Sequence, residues 1–305
     1  MTEADIVVVG GGIAGLAAAR EVAGLGRRCV TFTGPQPGGH LLSINAVQDM
    51  PDHPDGVPGY DLCPMMLGDA MDAGVDCLTE DALGLEADGD AWIVRGSSSQ
   101  VRAAGVILAP GSRLKRLDVP GEADFEGRGV SQCASCDGPM LRAKPVAVVG
   151  GGDAACQEAL TLAESASEVH MLVRGSALRA RPAWRARIAA EPKIRLRFGV
   201  RVAAIAGDGA VREVRLADGS ALAVDAVFIF VGLDPNTGFV RDLVPLDAAG
   251  RMIVDAGLHT PRRGVFGAGD ARSGSSGQAA EALADGRAAA RSAQRFLGQR
   301  DWPAF

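Results

Sequence analysis

Residues 131–139 read Ser-Gln-Cys-Ala-Ser-Cys-Asp-Gly-Pro, which sets two thiols two residues apart with a carboxyl group directly behind them. At that spacing Cys133 and Cys136 can close a small ring on a turn or a helix start, and Asp137 can shuttle the proton as a thiol leaves or attacks. Thiol–disulfide exchange needs a thiolate, and a free cysteine is mostly protonated at neutral pH, so an adjacent acid has chemical use. Gly138 would let the backbone bend tightly there. Half of a metal site and a pair of idle thiols are the competing readings. A structural zinc needs about four ligands, usually a second cysteine pair or two spaced histidines. Cys29, Cys63, Cys77 and Cys156 are scattered, and His40, His53, His170 and His259 form no ligand pattern, so no metal is expected.

The elements that must position such a pair lie on either side of it. Near the start an apolar run, Ile6 to Val9, reads as a buried parallel strand and ends in Gly10-x-Gly12-x-x-Gly15. An alanine-rich stretch to about Gly26 reads as a helix, and Cys29 to Phe32 as the second strand. Strand, glycine turn and helix in this order suit a dinucleotide. The first glycine makes the turn, the second admits the pyrophosphate, the third lets helix and strand pack, and the helix N-terminus supplies partial positive charge. The pattern returns with Val146 to Val149, then Gly150, Gly152 and Ala155, then a strand over Val169 to Val173. Two such units imply two dinucleotides; a duplicated scaffold with one dead site is the bland alternative.

At the end of each second strand an acid usually holds a ribose hydroxyl, whereas an arginine suits a 2′-phosphate. The first position is Thr33, which can still bond a ribose hydroxyl; the second is Arg174, with Arg179 shortly after it. Those arginines favour NADPH over NADH, against a reading as plain surface arginines. A late strand, Val265 to Gly267, ends in Gly269-Asp270 and precedes a helix from about Gln278 to Leu297. An aspartate there can accept a bond from a polyol such as the ribityl chain of FAD. The middle of the chain is therefore an insertion into the first unit.

Composition sets the outer bounds. The 305 residues allow two domains, and 47% hydrophobic with 22% charged residues is a globular balance. A net charge of −6 and 4% aromatics argue against nucleic acid and anionic membrane surfaces. No stretch reaches the roughly 18 to 20 apolar residues of a membrane span. The opening Met1-Thr2-Glu3-Ala4-Asp5 is acidic where an export signal is basic, so a cytoplasmic location is expected. Isolated cysteines there read as small buried hydrophobes.

Taken together, the stretches GGGIAGLAAA (10–19), PGGH (37–40), VPGE (119–122), CASCDG (133–138), GGGDAA (150–155), FIFVGLDPNT (228–237) and VFGAGDAR (265–272) resemble the low-molecular-weight thioredoxin reductases and related flavin disulfide reductases over the whole chain. The resemblance implies an α/β fold of two Rossmann-like domains, the second inserted into the first. A FAD domain would span 1–113 and 243–305, and a domain for NAD(P) and the CxxC pair 114–242. It also implies electron flow from NADPH through FAD to a Cys133–Cys136 disulfide, then to a thioredoxin-like protein, with Asp137 moving the proton. Cys136 would lie nearer the flavin. The implied cofactor residues are Gly10, Gly12, Gly15, Thr33, Gly39, His40, Asp49, Gly111, Gly269, Asp270 and Gln278 for FAD, and Gly150, Gly152, Ala155, Arg174 and Arg179 for the nicotinamide dinucleotide. A homodimer is implied, as is rotation of the inserted domain about linkers near Arg113–Leu117 and Pro235–Asp242.

Several positions depart from that pattern. Val173-Arg174-Gly175 replaces a His-Arg-Arg run, removing one phosphate-gripping arginine and making NADH use plausible. His40 stands for a glutamine, Ala109-Pro110-Gly111 for Ala-Thr-Gly, Gly277 for an arginine before Gln278, and Asp49 for an asparagine. The departures leave alternatives: a FAD-dependent oxidase of a small-molecule dithiol with oxygen as acceptor, a relative using NADH or ferredoxin as donor, and a flavoprotein that only binds and senses.

Overall fold

The computed structural model describes residues 1–48, 50–299, 301–303 and 305. The chain opens with β1 (Thr2–Val9), α1 (Ile13–Gly24) and β2 (Cys29–Phe32). It continues through α2 (Gly59–Asp72), β3 (Asp76–Leu78), β4 (Gly84–Asp88), β5 (Ala91–Arg95) and β6 (Gln100–Leu108), and β7 (Ser112–Leu114) leads out. Next come β8 (Val130–Ser131), α3 (Ala134–Asp137), β9 (Pro145–Val149), α4 (Asp153–Ala163), β10 (Glu168–Val173), α5 (Pro182–Ala190) and β11 (Ile194–Phe198). β12 (Val202–Asp208), β13 (Ala210–Leu216), β14 (Ala221–Ala223) and β15 (Ala226–Ile229) follow. β16 (Leu233–Pro235) leads back to β17 (Val265–Gly267) and α6 (Ala279–Gln299).

Contacts divide the chain into Met1–Arg113 with Asp234–Phe305, and Leu114–Leu233. The stretch 234–242, assigned to the inserted part on sequence, goes with the first unit because Val240 is buried in one cluster with Val7, Val9 and Val106. β7 and β16 form a two-stranded sheet. Lys115 N donates to Gly232 O (2.9 Å) and Asn236 N to Gly111 O (3.0 Å).

In the first unit the strand order is β3-β2-β1-β6-β5-β4, with β17 also on β6. β1 pairs in parallel on both sides, Ile6 standing opposite Cys29 and Gly105. A strand so flanked and covered on both faces has no polar side to show, which accounts for its continuous apolar run. Strand β6 serves two partners: its first half pairs with antiparallel β5 (Val94 opposite Val101), its second half with parallel β17 (Val265 opposite Val106). Ala14, Ala18, Ala289, Ala290 and Ala293 of α1 and α6 pack with Ile6 and Val8 on one face. A Cβ on Gly286 would lie 2.1 Å from Ala14 O, so the two helices approach backbone to backbone. That approach explains why both helices are rich in small residues. Each fully buried Val, Ile or Phe around them contributes roughly 1.5–3 kcal/mol.

The second unit has an all-parallel sheet, β11-β10-β9-β15-β8. One face is covered by Ala155, Ala159 and Leu162 of α4 with Trp184 and Ile188 of α5. The other is covered by the antiparallel β12-β13-β14 sheet through Ile205, Val211 and Val214. Cys29, Cys63 and Cys156 are buried, and burial pushes all three thiols up, Cys63 and Cys156 to about 11. Thiols held protonated that way are poor nucleophiles. Among the described residues no helix is long and apolar enough to cross a membrane.

Candidate active site

Cys133 and Cys136 are joined by a disulfide. Cys133 sits in extended conformation as the cap of α3, and its Sγ accepts from Cys136 N at 3.2 Å. Ser131 Oγ accepts from Cys133 N at 3.1 Å, fixing the approach to the helix. Cys136 is exposed and Cys133 half-buried, so a partner from solvent meets Cys136 more readily. Asp137 follows, half-buried, its N–H donating to Cys133 O at 3.2 Å. Gly138 has helical angles (φ −54°, ψ −42°) that any residue adopts, so the tight bend expected there is not the reason for glycine. A Cβ there would lie 3.3 Å from Leu162 Cδ2, so the leucine would have to give by a few tenths of an ångström, and Ser165 Oγ donates to Gly138 O at 3.0 Å.

Glu158, on α4, is the residue that sequence reasoning missed here. It is buried, and its Oε2 accepts from Ala134 N at 3.0 Å, between the two cysteines. Burial pushes its carboxyl up to about 7, only partly offset by the Ala134 bond. Its only sequence signal is an acid on an otherwise apolar helix face, shared with Ala155 and Leu162.

The first glycine turn is built by close backbone approach. Gly10 has φ +126°, and a Cβ there would sit 2.0 Å from Ala109 O; one on Gly15 would sit 1.9 Å from Gly10 O. By contrast, a Cβ on Gly12 would meet nothing within 4 Å. Gly12 caps α1 without a side-chain hydrogen bond, and the first turn carries no acid. Free N–H groups, a positive helix end and open space fit a pyrophosphate.

Around this turn the chain gathers other expected residues. Gly38 N donates to Gly11 O (2.8 Å), bringing Gly39 (φ +52°) and His40 alongside. His40 is half-buried, and burial lowers its pKa, so the ring is neutral at pH 7. Gly111 (φ +62°) follows Pro110, whose carbonyl accepts from Asn236 Nδ2 at 3.1 Å. Gly269 (φ +70°) touches Ala14, and the half-buried carboxyl of Asp270 is pushed up by burial against the pull of Arg251. Gln278 is half-buried at the entry to α6. Thr33 is buried, but its hydroxyl donates to Leu78 O and Gly34 O (both 3.1 Å), leaving only lone pairs for a ribose. Asp49 lies outside the described residues. Sequence reading also missed the support of the 269–270 turn: buried Asp285 accepts from Gly269 N (3.0 Å) and from Arg272 Nε (2.5 Å), and Arg272 reaches Glu281 (2.7 Å).

In the second turn Gly150 has φ +146°, Gly152 again faces open space, and Ala155 is fully buried. Arg179 N donates to Gly151 O at 2.8 Å, folding the 174–181 segment over the loop. Asp153 in the first turn of α4 accepts from Arg181 N (2.8 Å) and Nε (2.5 Å), which neutralises an acid at a helix end suited to phosphate. Arg174 and Arg179 are exposed, and among the described residues neither guanidinium has a partner. A Cβ on Gly175 beside them would make only ordinary contact, 3.7 Å from Ala177 O.

Residues 4–286 match the family model described as pyridine nucleotide-disulphide oxidoreductase. A thioredoxin reductase of Treponema pallidum is 34% identical over 301 residues, covering 97% of this chain and 98% of that protein. One from Streptomyces coelicolor is 35% identical over 301 residues, covering 96% and 94%. Among solved structures, Lactococcus lactis thioredoxin reductase superposes with a TM-score of 0.92 at 31% identity, covering 97% of this chain and 99% of that one.

Proposed function

The chain belongs to the pyridine nucleotide-disulphide oxidoreductase family, and from that premise we propose that it is a thioredoxin-reductase-like flavoenzyme that reduces the disulfide of a thioredoxin-like protein. The single observation that carries this reading is the Cys133–Cys136 disulfide at the head of a short helix, packed against the helix of a complete dinucleotide turn.

We assign FAD to the first unit and NADPH to the second. Gly10, Gly12, Gly15, Gly39, Gly111, Gly269, Asp270 and Gln278 would hold FAD, with His40 neutral beside it. Bound there, FAD supplies hydride acceptance from the nicotinamide and two-electron donation to a disulfide. Gly150 makes the second turn and Gly152 admits the second pyrophosphate, and Arg174 and Arg179 offer free charge to a 2′-phosphate. Asp137 moves the proton at the cysteine pair, and the reduced thiolate attacks the partner's disulfide sulfur, forming a mixed disulfide that the other thiol resolves. We also infer a cytoplasmic homodimer; exposed Tyr60, Met65 and Met71 on α2 are apolar surface a second copy would cover. The oxidase alternative is not favoured, since the relatives compared above are named reductases.

Gly175 keeps NADH in play as donor. Anaerobic titration of the yellow protein with NADPH, and separately NADH, reads this from the flavin absorbance. Near-stoichiometric bleaching by NADPH is the expected result. Bleaching by NADH alone would reassign the donor, and bleaching only by a dithiol would overturn the reductase reading. In Cys133→Ser, flavin bleaching should persist while turnover with thioredoxin falls at least about a thousandfold.

A further inference from the structure

Glu158 and the cysteine pair belong to one unit, and their contact is direct: a buried carboxylate accepts the N–H of the residue that follows Cys133. We propose that Glu158 is a positioning residue for the redox pair: its carboxylate anchors the head of α3 and takes up one proton when the Cys133–Cys136 bond is reduced. The inference rests on the reading of that pair as the redox centre.

The surroundings leave Glu158 little else to answer to. α3, which it meets through Ala134 N, carries the cysteines and Asp137; its own helix carries Asp153 at the start, with Glu164 just past its end. The elements packed against α4 bring Arg185 and Arg187 on α5, Glu168 and His170 on β10, and Arg195 and Arg197 on β11, while β9 has no titratable group. None of these charges contributes to the state of Glu158 in the disulfide form, which is set by burial and the Ala134 bond. A new charge on the cysteines would therefore act on a carboxyl held by burial and one backbone bond alone.

Reduction supplies that charge. The S–S bond breaks, two electrons enter from the flavin, one proton goes to one sulfur, and the other sulfur is left as thiolate. A thiolate on α3 and a buried carboxylate bonded to the same turn are like charges, and each disfavours the other. Because the carboxyl already titrates near neutrality, the second proton goes to Glu158. The disulfide is then easier to reduce at low pH, where Glu158 is protonated beforehand, than at high pH, where it must be protonated against its own tendency.

The test compares wild type with Glu158→Gln, in which an amide oxygen keeps the acceptor for Ala134 N–H and removes the charge. Flavin-loaded protein is equilibrated in dithiothreitol redox buffers from pH 6 to 8.5, quenched, alkylated, and scored for labelled Cys133 and Cys136 by peptide mass. We expect the two proteins to coincide at pH 6. At pH 8.5 the variant should be reduced with an equilibrium constant about tenfold larger, about 30 mV. Curves that coincide or run parallel at every pH would overturn the proposal and leave the redox pair standing. Failure of the cysteines to titrate at all would sink the functional reading too. If the variant does not fold, infrared difference spectra of the wild type decide the matter. Reduction at pH 8 must produce a carboxylic-acid band that moves with 13C-glutamate labelling, and its absence overturns proton uptake.

Discussion

The two glycine turns start from nearly the same residues and end as different sites. In the first, the third position must be glycine, since a Cβ on Gly15 would lie 1.9 Å from Gly10 O. In the second the same position is Ala155, fully buried and accommodated. The first turn has no charged group on its helix start and an uncharged Thr33 at the end of its strand. The second has Asp153 clamped by Arg181, and free arginines at the strand end. The helix after the first turn buries only apolar side chains and glycine, whereas the helix after the second buries Glu158. Tight and uncharged suits a ligand that stays; looser and charge-sorted suits one that arrives, is discriminated and leaves. On the proposed assignment those ligands are FAD and NADPH.

The comparison breaks most visibly at the third position. Gly15→Ala should cost about 3 kcal/mol or more through a main-chain clash, and the purified protein should carry little flavin per chain by visible absorbance. A fully loaded Gly15→Ala protein would remove the basis for calling the first turn the tighter. Next in size is the buried acid. In the disulfide form Glu158 is raised from 4.5 to about 7, so its contribution to stability is complete below 4.5 and is lost as pH rises through 7. The loss is on the order of 3 kcal/mol. Thermal melts of oxidised wild type should fall by several degrees from pH 5 to pH 8, while Glu158→Gln stays flatter. Third, Gly175→Arg should lower the KM for NADPH about tenfold by restoring one charged phosphate contact, with the KM for NADH unmoved. An equal change with both nucleotides would mean that the arginine does not read the 2′-phosphate. The smallest effect is expected at Ala155→Gly, within about 1 kcal/mol of wild type in chemical denaturation.

What the sequence made legible shares one property: the constraint is local. A turn that needs φ above +100° at Gly10 and Gly150 writes itself as glycine in the chain, and two cysteines on one short turn are neighbours before folding. Asp285 is different. It looks like any acid on a helix until the fold brings it to Gly269 N and Arg272, and Glu158 acquires its meaning only through Ala134. Thr33 shows the opposite failure: its position suits a ribose, but the hydroxyl had a nearer acceptor in Leu78 O, contributed by a strand that no motif includes. Gly138, expected at a tight bend, has helical angles that any residue adopts. The stretch 235–242 reads as a linker at the end of the inserted domain, while Val240 follows its apolar partners.

Strand β6 pairs with β17 along Val106–Leu108, and α6 closes on α1 at Gly286 and Ala14. Both partners of that closure lie beyond Leu114–Leu233, a stretch that is contiguous and complete in itself. During synthesis at roughly 5–20 residues per second, the ribosome needs roughly 6 to 24 seconds to make the intervening unit. Throughout that interval the earlier sheet has an open apolar edge and an uncovered helix. The later-made unit can therefore finish folding first, and the earlier one waits, unfinished and prone to wrong pairing, for the last segment to emerge.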